Sequence, residues 1–123
     1  MRREARKHDD LMAWQQAMQR VRHVYEVTRI FPADEKSGLI SQMRRAAVSV
    51  PGNIAEGAAR QTGRECAQFL TIARGSLSEL DTQLMRAREL GFTPAQPELE
   101  SLIDRISGLQ GGLLNSLQNE GKS

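Results

Sequence analysis

The sequence predicts an all-α protein, an antiparallel up-down-up-down four-helix bundle whose second helix is kinked at Pro51. Apolar residues recur with helical periodicity along the chain, whereas no alternating β-branched segment is bounded by hairpin dipeptides. Only 4% of the residues are aromatic, and helix-favouring Leu, Ala, Arg, Gln and Glu are abundant. Connections of a few residues are typical of consecutive helices that run in opposite directions.

The chain is expected to form one domain over residues 1–123, because this length suits a single core, with residues 1–8 and 119–123 flexible. It contains neither the apolar block of a signal peptide nor an apolar run of about 20 residues, which favours a cytoplasmic protein with no membrane role. The single Cys66 excludes an internal disulfide. His8 and His23 have no partners at ligand spacing, so neither a metal nor a cofactor is expected.

Charge is distributed unevenly, although the net charge is only +2. Residues 1–64 contain 12 Lys and Arg against 7 Asp and Glu, whereas residues 65–123 contain 5 against 8. This asymmetry permits a basic face that meets phosphate, and it equally permits charge pairing between subunits.

The first helix is predicted from an apolar seam with spacings of three and four residues, flanked on one side by further apolar residues. The seam consists of Leu11, Trp14, Met18, Val21, Tyr25 and Thr28, and the flank of Ala17, Val24 and Phe31. Asp9 or Asp10 is a suitable N-cap, and Phe31-Pro32 is expected to end the helix.

The second helix is predicted to start near residues 34–37, with Asp34 as its cap, and to bury six apolar residues: Leu39, Ile40, Met43, Ala46, Ala47 and Val50. Pro51 costs a helix interior about 3 kcal/mol, and Pro-Gly also fits a type II turn between two separate helices. Because the apolar register continues to Ile54 and Ala58, a kinked but continuous helix is favoured.

The third helix is predicted to begin at a capping box formed by Thr62 and Glu65 and to end at Gly91, with Phe92 packing back on its last turn. Its seam is Cys66, Leu70, Ala73, Leu77, Leu80, Leu84 and Ala87. A proline of "TPAQPE" opens the fourth helix. The fourth seam is Leu99, Leu102, Ile106, Leu109, Leu113 and Leu117.

A second stripe of the third helix consists of small residues, Thr71, Gly75, Ser78 and Thr82. Gly and Thr are poor helix formers on a solvated face, so these residues are candidates for an oligomer interface. The alternative is that they are merely tolerated at the surface.

Three segments carry a resemblance: "DLMAWQQAM" (10–18), "FPADEKSGLISQMRRAAVSVPGNIAEG" (31–57) and "FLTIARGSLSELDTQL" (69–84). In this order and spacing they closely resemble the four-helix bundle family of proteins encoded by intervening sequences of bacterial 23S rRNA genes. The resemblance implies a homo-oligomer, a pentameric ring in some members, and nucleic-acid binding, which is itself mainly inferred for the family. Gly52 and the absence of an aromatic residue after Gly57 depart from the usual pattern.

The polar candidates lie around this central block. Asn53, Glu56 and Arg60 share a helical face and are interpreted as a structural polar cluster, with catalysis as the minor alternative. The candidates for nucleic-acid binding are Arg44, Arg45, Arg60 and Arg64. Since adjacent helical residues diverge by about 100°, Arg44 and Arg45 are expected on different faces, one of them paired with Glu79 or Asp81.

These features predict a non-enzymatic, self-assembling protein that binds RNA or DNA through arginines repeated around an oligomeric ring. The alternative is a protein-interaction scaffold or accessory subunit with no nucleic-acid role. No small-molecule substrate is indicated by the sequence.

Overall fold

The computed structural model describes residues 3–36 and 38–122, with side chains described for residues 11–36, 38–106, 108, 111, 112, 114 and 115. It contains four α-helices: α1 (Arg3–Thr28), α2 (Leu39–Ala58), α3 (Gly63–Glu89) and α4 (Pro97–Lys122). This part of the chain has no strand, which confirms the all-α, four-helix prediction. The expected flexibility of residues 1–8 and 119–123 concerns ends that lie outside the described side chains.

The helices pack in chain order around one core. α1 contacts α2, α2 contacts α3, α3 contacts α4, and α4 closes the bundle against α1. No contact between α1 and α3 is found in the described residues, so these two helices lie diagonally across the bundle. Their outer surfaces therefore belong to different sides of the molecule.

The inner face of α1 differs from the predicted seam. The buried residues of α1 are Ala13, Ala17, Arg20, Val24, Val27 and Thr28, and Phe31 is buried just after the helix. Four seam residues are instead exposed: Leu11 (52%), Trp14 (38%), Met18 (40%) and Tyr25 (39%). The prediction was wrong for these four, because the flanking stripe of Ala17, Val24 and Phe31 turned out to be the core face.

A buried arginine explains this orientation of α1. Helix α2 continues through Pro51 without a break, as the apolar register predicted. A kink of the helix at Pro51 stays a prediction. Because proline has no N–H, the carbonyl of Ala47, four residues earlier, lacks its usual helical donor. Arg20 Nη2 donates to that oxygen at 2.9 Å from a side chain that is fully buried. The proline therefore creates an acceptor inside the bundle, and α1 supplies the donor.

Arg20 retains its charge in this position. Burial lowers the pKa of the guanidinium to about 10, so the group is still protonated at neutral pH. Its Nε and Nη1 atoms have no hydrogen-bond partner among the described residues. A buried charge of this kind is costly, and the bond to Ala47 offsets part of that cost.

The helix ends combine confirmed and corrected predictions. Thr62 Oγ1 accepts from the amide of Glu65 at 3.2 Å, which confirms the cap of α3. Gly91 has a φ of 75°, and the amide of Phe92 donates to the carbonyl of Ala87 at 2.9 Å. These two features form a Schellman motif, and Phe92 packs against the core as predicted.

Two predicted caps were wrong. Helix α1 begins at Arg3 rather than after Asp9 or Asp10, because the preceding residues include good helix formers and no breaker. Asp34 lies inside a short 3-10 helix, Ala33–Glu35, and α2 begins only at Leu39. The amide of Leu39 donates to Glu35 Oε2 at 3.2 Å, so the carboxylate of Glu35, and not that of Asp34, accepts a hydrogen bond from the first residue of α2.

The remaining seams agree with the sequence as far as side chains are described. Every predicted seam residue of α3 is buried, as are the six named for α2 and Leu99, Leu102 and Ile106 of α4. Helix α4 begins at the second proline, Pro97. Leu109, Leu113 and Leu117 lie outside the described side chains.

At Gly57, α2 lies close against α3. A Cβ atom at this position would lie 3.2 Å from the carbonyl oxygen of Cys66 and 3.2 Å from Cβ of Phe69. Such distances are shorter than ordinary van der Waals contact, so a side chain here requires a shift of α3.

The link between Arg20 and Pro51 predicts energetic coupling. Arg20→Met leaves the buried Ala47 carbonyl without a donor, at a cost of about 1–3 kcal/mol. Pro51→Ala restores an N–H that can donate to the same oxygen. We expect Arg20→Met to be about 1–2 kcal/mol less destabilising in the Pro51→Ala background, measured by urea unfolding as a double-mutant cycle. Additive effects would contradict the link.

The packing of Gly57 predicts an unfavourable alanine substitution. Gly→Ala in an open helix interior stabilises by up to about 1 kcal/mol, and Gly108, around which a Cβ meets nothing within 4 Å, provides the control. We expect Gly57→Ala to be less stable than Gly108→Ala by about 1–3 kcal/mol in urea unfolding. Equal stabilisation of both variants would exclude the close approach.

Candidate nucleic-acid interface

A groove on the outer surface of α1 and α2 brings together three cationic side chains. We call it the α1–α2 groove; its lining is Tyr25, Lys36, Ile40, Ser41, Arg44, Arg45, Val48 and Ser49. Its volume is about 550 Å³, and no carboxylate of the described residues belongs to this lining. The groove therefore combines uncompensated positive charge with an aromatic ring and two aliphatic side chains.

Arg44 is held in a fixed position inside the groove. Its Nε donates to Thr28 Oγ1 at 2.9 Å, and its Nη2 lies 3.5 Å from the carbonyl oxygen of Tyr25. The guanidinium carbon also lies over the Tyr25 ring, 4.3 Å from the centroid. All three partners are neutral, so the cation is oriented without being neutralised.

Lys36 and Arg45 are the less constrained cations of the groove. Both side chains are exposed, and neither has an ion pair or a side-chain hydrogen bond among the described residues. They can therefore meet a phosphate without first breaking an internal contact. An anion that enters the groove encounters two available charges beside the fixed one.

The sequence interpretation of the two arginines needs correction. Arg44 and Arg45 both line one groove although they are adjacent in α2, since long side chains that leave a helix in different directions can still border the same depression. In the described residues neither forms an ion pair with Glu79 or Asp81. Glu79 Oε1 instead accepts from Gln83 Nε2 at 3.2 Å.

Two other grooves have mixed charge. One, between α1 and α4, is lined by residues that include His23, Arg105 and the carboxylate of Glu98. Another, near the end of α3, includes both Arg88 and Glu89. In each of these an entering phosphate would meet a negative side chain, which the α1–α2 groove does not present.

The other two candidate arginines lie outside the α1–α2 groove. Arg60 Nη2 pairs with Glu56 Oε2 at 2.8 Å, and its guanidinium lies 4.6 Å from the centroid of the Phe69 ring. Arg64 is exposed near the start of α3. Because Arg60 already has an anionic partner, its attraction for a further anion is reduced.

Asn53 makes different contacts from the Glu56–Arg60 pair. Its Nδ2 donates to the carbonyl oxygen of Ser49 at 2.8 Å and to Ser49 Oγ at 3.0 Å. Ser49 Oγ in turn lies 2.8 Å from Ser76 Oγ on α3. Asn53 thus supports a polar contact between α2 and α3 one turn before Glu56.

The candidate oligomer-interface residues Thr71, Gly75, Ser78 and Thr82 are all exposed on α3. A Cβ at Gly75 would meet nothing within 4 Å, so the protomer itself does not require glycine there. On α1, the exposed residues Leu11, Trp14, Met18 and Tyr25 form what we call the α1 apolar stripe. The bundle therefore carries a stripe of small residues and a stripe of large residues on diagonal helices.

Neither a metal cluster nor a membrane-spanning helix is found in the described part of the chain. No three His, Cys, Asp or Glu residues there are grouped so as to hold a metal ion. None of its helices has both the length and the apolar character that a bilayer crossing requires.

The sequence indicated Arg44 and Arg45 but missed Tyr25 and Lys36. Tyr25 was assigned to the core because it continues the spacing of Leu11, Trp14 and Met18. A useful signal was the equally regular stripe of Ala13, Ala17, Val24 and Phe31, which fills the core if Arg20 is accepted as a buried residue. Lys36, in the connection before α2, had no signal of its own.

Comparison with known proteins gives one family match. The family model described as 23S rRNA-intervening sequence protein matches residues 9–114. A search of curated proteins found no match to the chain. The matched segment includes the α1–α2 groove, the α1 apolar stripe and the small-residue stripe of α3.

Proposed function

This chain belongs to the 23S rRNA-intervening sequence protein family, and on that basis we propose that it is a non-enzymatic nucleic-acid-binding protein of the cytoplasm. RNA or DNA binds through the α1–α2 groove. The observation that carries the proposal is the convergence of Lys36, Arg44 and Arg45 in one groove, where the described lining contains no carboxylate. The family name refers to an intervening sequence of 23S rRNA, which also supports a role that involves RNA.

Phosphate is the group that this arrangement suits best. Lys and Arg side chains that neutralise phosphates release condensed counterions, and this release supplies most of the affinity in sequence-independent binding. Three cations per protomer give only modest attraction. Several copies of the groove on one assembly would bind one strand at several points and raise the overall affinity.

We propose that the protein is a homo-oligomer, with a closed pentameric ring as the expected form. Its two exposed stripes differ in character: the α1 apolar stripe has large side chains, whereas Thr71, Gly75, Ser78 and Thr82 are small. Large side chains pack well against a surface of small ones. Because α1 and α3 are diagonal, a contact between these stripes is head-to-tail, and head-to-tail contacts close into rings when the rotation permits.

The second candidate function is a protein-interaction scaffold with no nucleic-acid role. The α1 apolar stripe favours it, because exposed aromatic and aliphatic residues in a row are typical of protein contacts. In that case the groove charges serve solubility, and purified protein shifts neither RNA nor DNA at low salt.

Neutralising the groove should weaken nucleic-acid binding and its salt dependence. For the double variant Lys36→Gln/Arg45→Gln we expect a lower affinity at 50 mM salt. We also expect the slope of log K against log salt to become shallower by about 0.7–0.9 per lost phosphate contact. Fluorescence anisotropy with labelled RNA and DNA measures both. Arg74→Gln/Arg86→Gln, which removes two exposed arginines of α3 outside the groove, is the charge-matched control. Equal effects of the control and the groove variant would contradict the site.

A charged residue in the small-residue stripe should disrupt assembly. We expect Gly75→Glu to reduce the molar mass measured by light scattering on a sizing column, while the helical circular dichroism signal is retained. Gly108→Glu, which also places a side chain in open space, should leave the mass unchanged. An unchanged mass for Gly75→Glu would exclude the stripe as an interface, and a wild-type monomer at micromolar concentration would exclude the ring.

A further inference from the structure

We infer that the α1–α2 groove takes an unpaired nucleotide, whose base stacks on the Arg44 guanidinium and whose phosphate meets Lys36 and Arg45. The inference rests on the proposed function and adds to it a preference for single-stranded over double-stranded nucleic acid. In this arrangement Arg44 provides a flat surface for stacking, and Lys36 and Arg45 provide positive charge for the phosphate.

Arg44 has the properties of a stacking platform. Its guanidinium plane is held by Thr28 Oγ1 at 2.9 Å and by the Tyr25 ring at 4.3 Å from the centroid. Arg44 lines the groove and is only partly buried, so its planar cation is accessible to another flat group. Bases stack on both aromatic rings and guanidinium planes, and the cation here is already oriented before a ligand arrives.

The rest of the groove matches the other parts of a nucleotide. Ile40 and Val48 supply aliphatic contact for a base or ribose, and the groove is open to solvent, as the passage of a longer strand requires. Lys36 and Arg45 are exposed and without side-chain partners among the described residues, as a phosphate-binding pair requires.

A double helix does not use this arrangement. In a duplex the bases are stacked on one another, and the groove would meet only the phosphates of the backbone. A lysine in place of Arg44 would then serve equally well, because only its charge would matter. For an unpaired base the flat guanidinium is essential, since an ammonium group offers no plane for stacking.

The experiment compares two RNA probes by fluorescence anisotropy at 50 mM salt: a labelled 12-nucleotide oligouridine and a labelled 12-base-pair RNA duplex. We expect Arg44→Lys to weaken oligouridine binding about tenfold and duplex binding less than twofold. Tyr25→Leu should have the same selective effect, and Tyr25→Phe should retain wild-type binding. Arg45→Gln should weaken both probes and reduce both salt slopes, because it removes a phosphate contact.

Thermal unfolding followed by circular dichroism establishes that each variant is folded at the assay temperature. Equal effects of Arg44→Lys on the two probes, or tighter wild-type binding of the duplex, would overturn the inference and leave the proposed function standing. If the wild-type protein bound neither the oligouridine nor the duplex, both the inference and the proposed function would be overturned. DNA versions of the same probes test whether the preference for unpaired nucleotides is shared by both sugars.

Discussion

The hydrogen bond from Arg20 to the carbonyl of Ala47 links the orientation of α1 in the bundle to Pro51 in α2. Pro51 leaves that carbonyl without its helical donor, and an unsatisfied buried acceptor costs about 1–3 kcal/mol. With Arg20 facing inward, a residue five positions later points about 140° away from it on an α-helix. Tyr25 is that residue, and it emerges beside α2 with Arg44 over its ring. The groove is therefore a consequence of how the bundle accommodates a proline.

The features that could be predicted from the sequence are those that local chemistry decides. The cap at Thr62, the left-handed Gly91 and the seam of α3 each depend on residues within a few turns of one another. The orientation of α1 could not be found in this way, because two stripes have equally regular spacing. The deciding contact joins residues 27 positions apart. Charge alone argued against burying Arg20, and only the missing N–H of Pro51 reverses that argument.

The candidate site was predicted in part for the same reason. Arg44 and Arg45 stood out as a basic pair inside a helix, although helical geometry alone placed them on different faces and did not predict that both line one groove. Tyr25 became part of the site only once α1 was correctly oriented, and it also ends the α1 apolar stripe. Nucleic-acid binding and self-assembly, as proposed, would thus use adjoining surfaces of one helix, and a neighbouring subunit on that stripe would lie next to a bound strand.

The same bond has a consequence for how the sequence can change over generations. A sequence in which only Pro51 was replaced would retain the buried Arg20 guanidinium, while the Ala47 carbonyl would again accept a hydrogen bond from the amide of residue 51. A sequence in which only Arg20 was replaced would retain Pro51 and leave the Ala47 carbonyl without a hydrogen-bond donor. Only the loss of Arg20 in the presence of Pro51 leaves a buried acceptor unsatisfied, so Arg20 is expected to be retained wherever Pro51 is present. Pro51 in α2 therefore restricts which residues can replace Arg20 in α1.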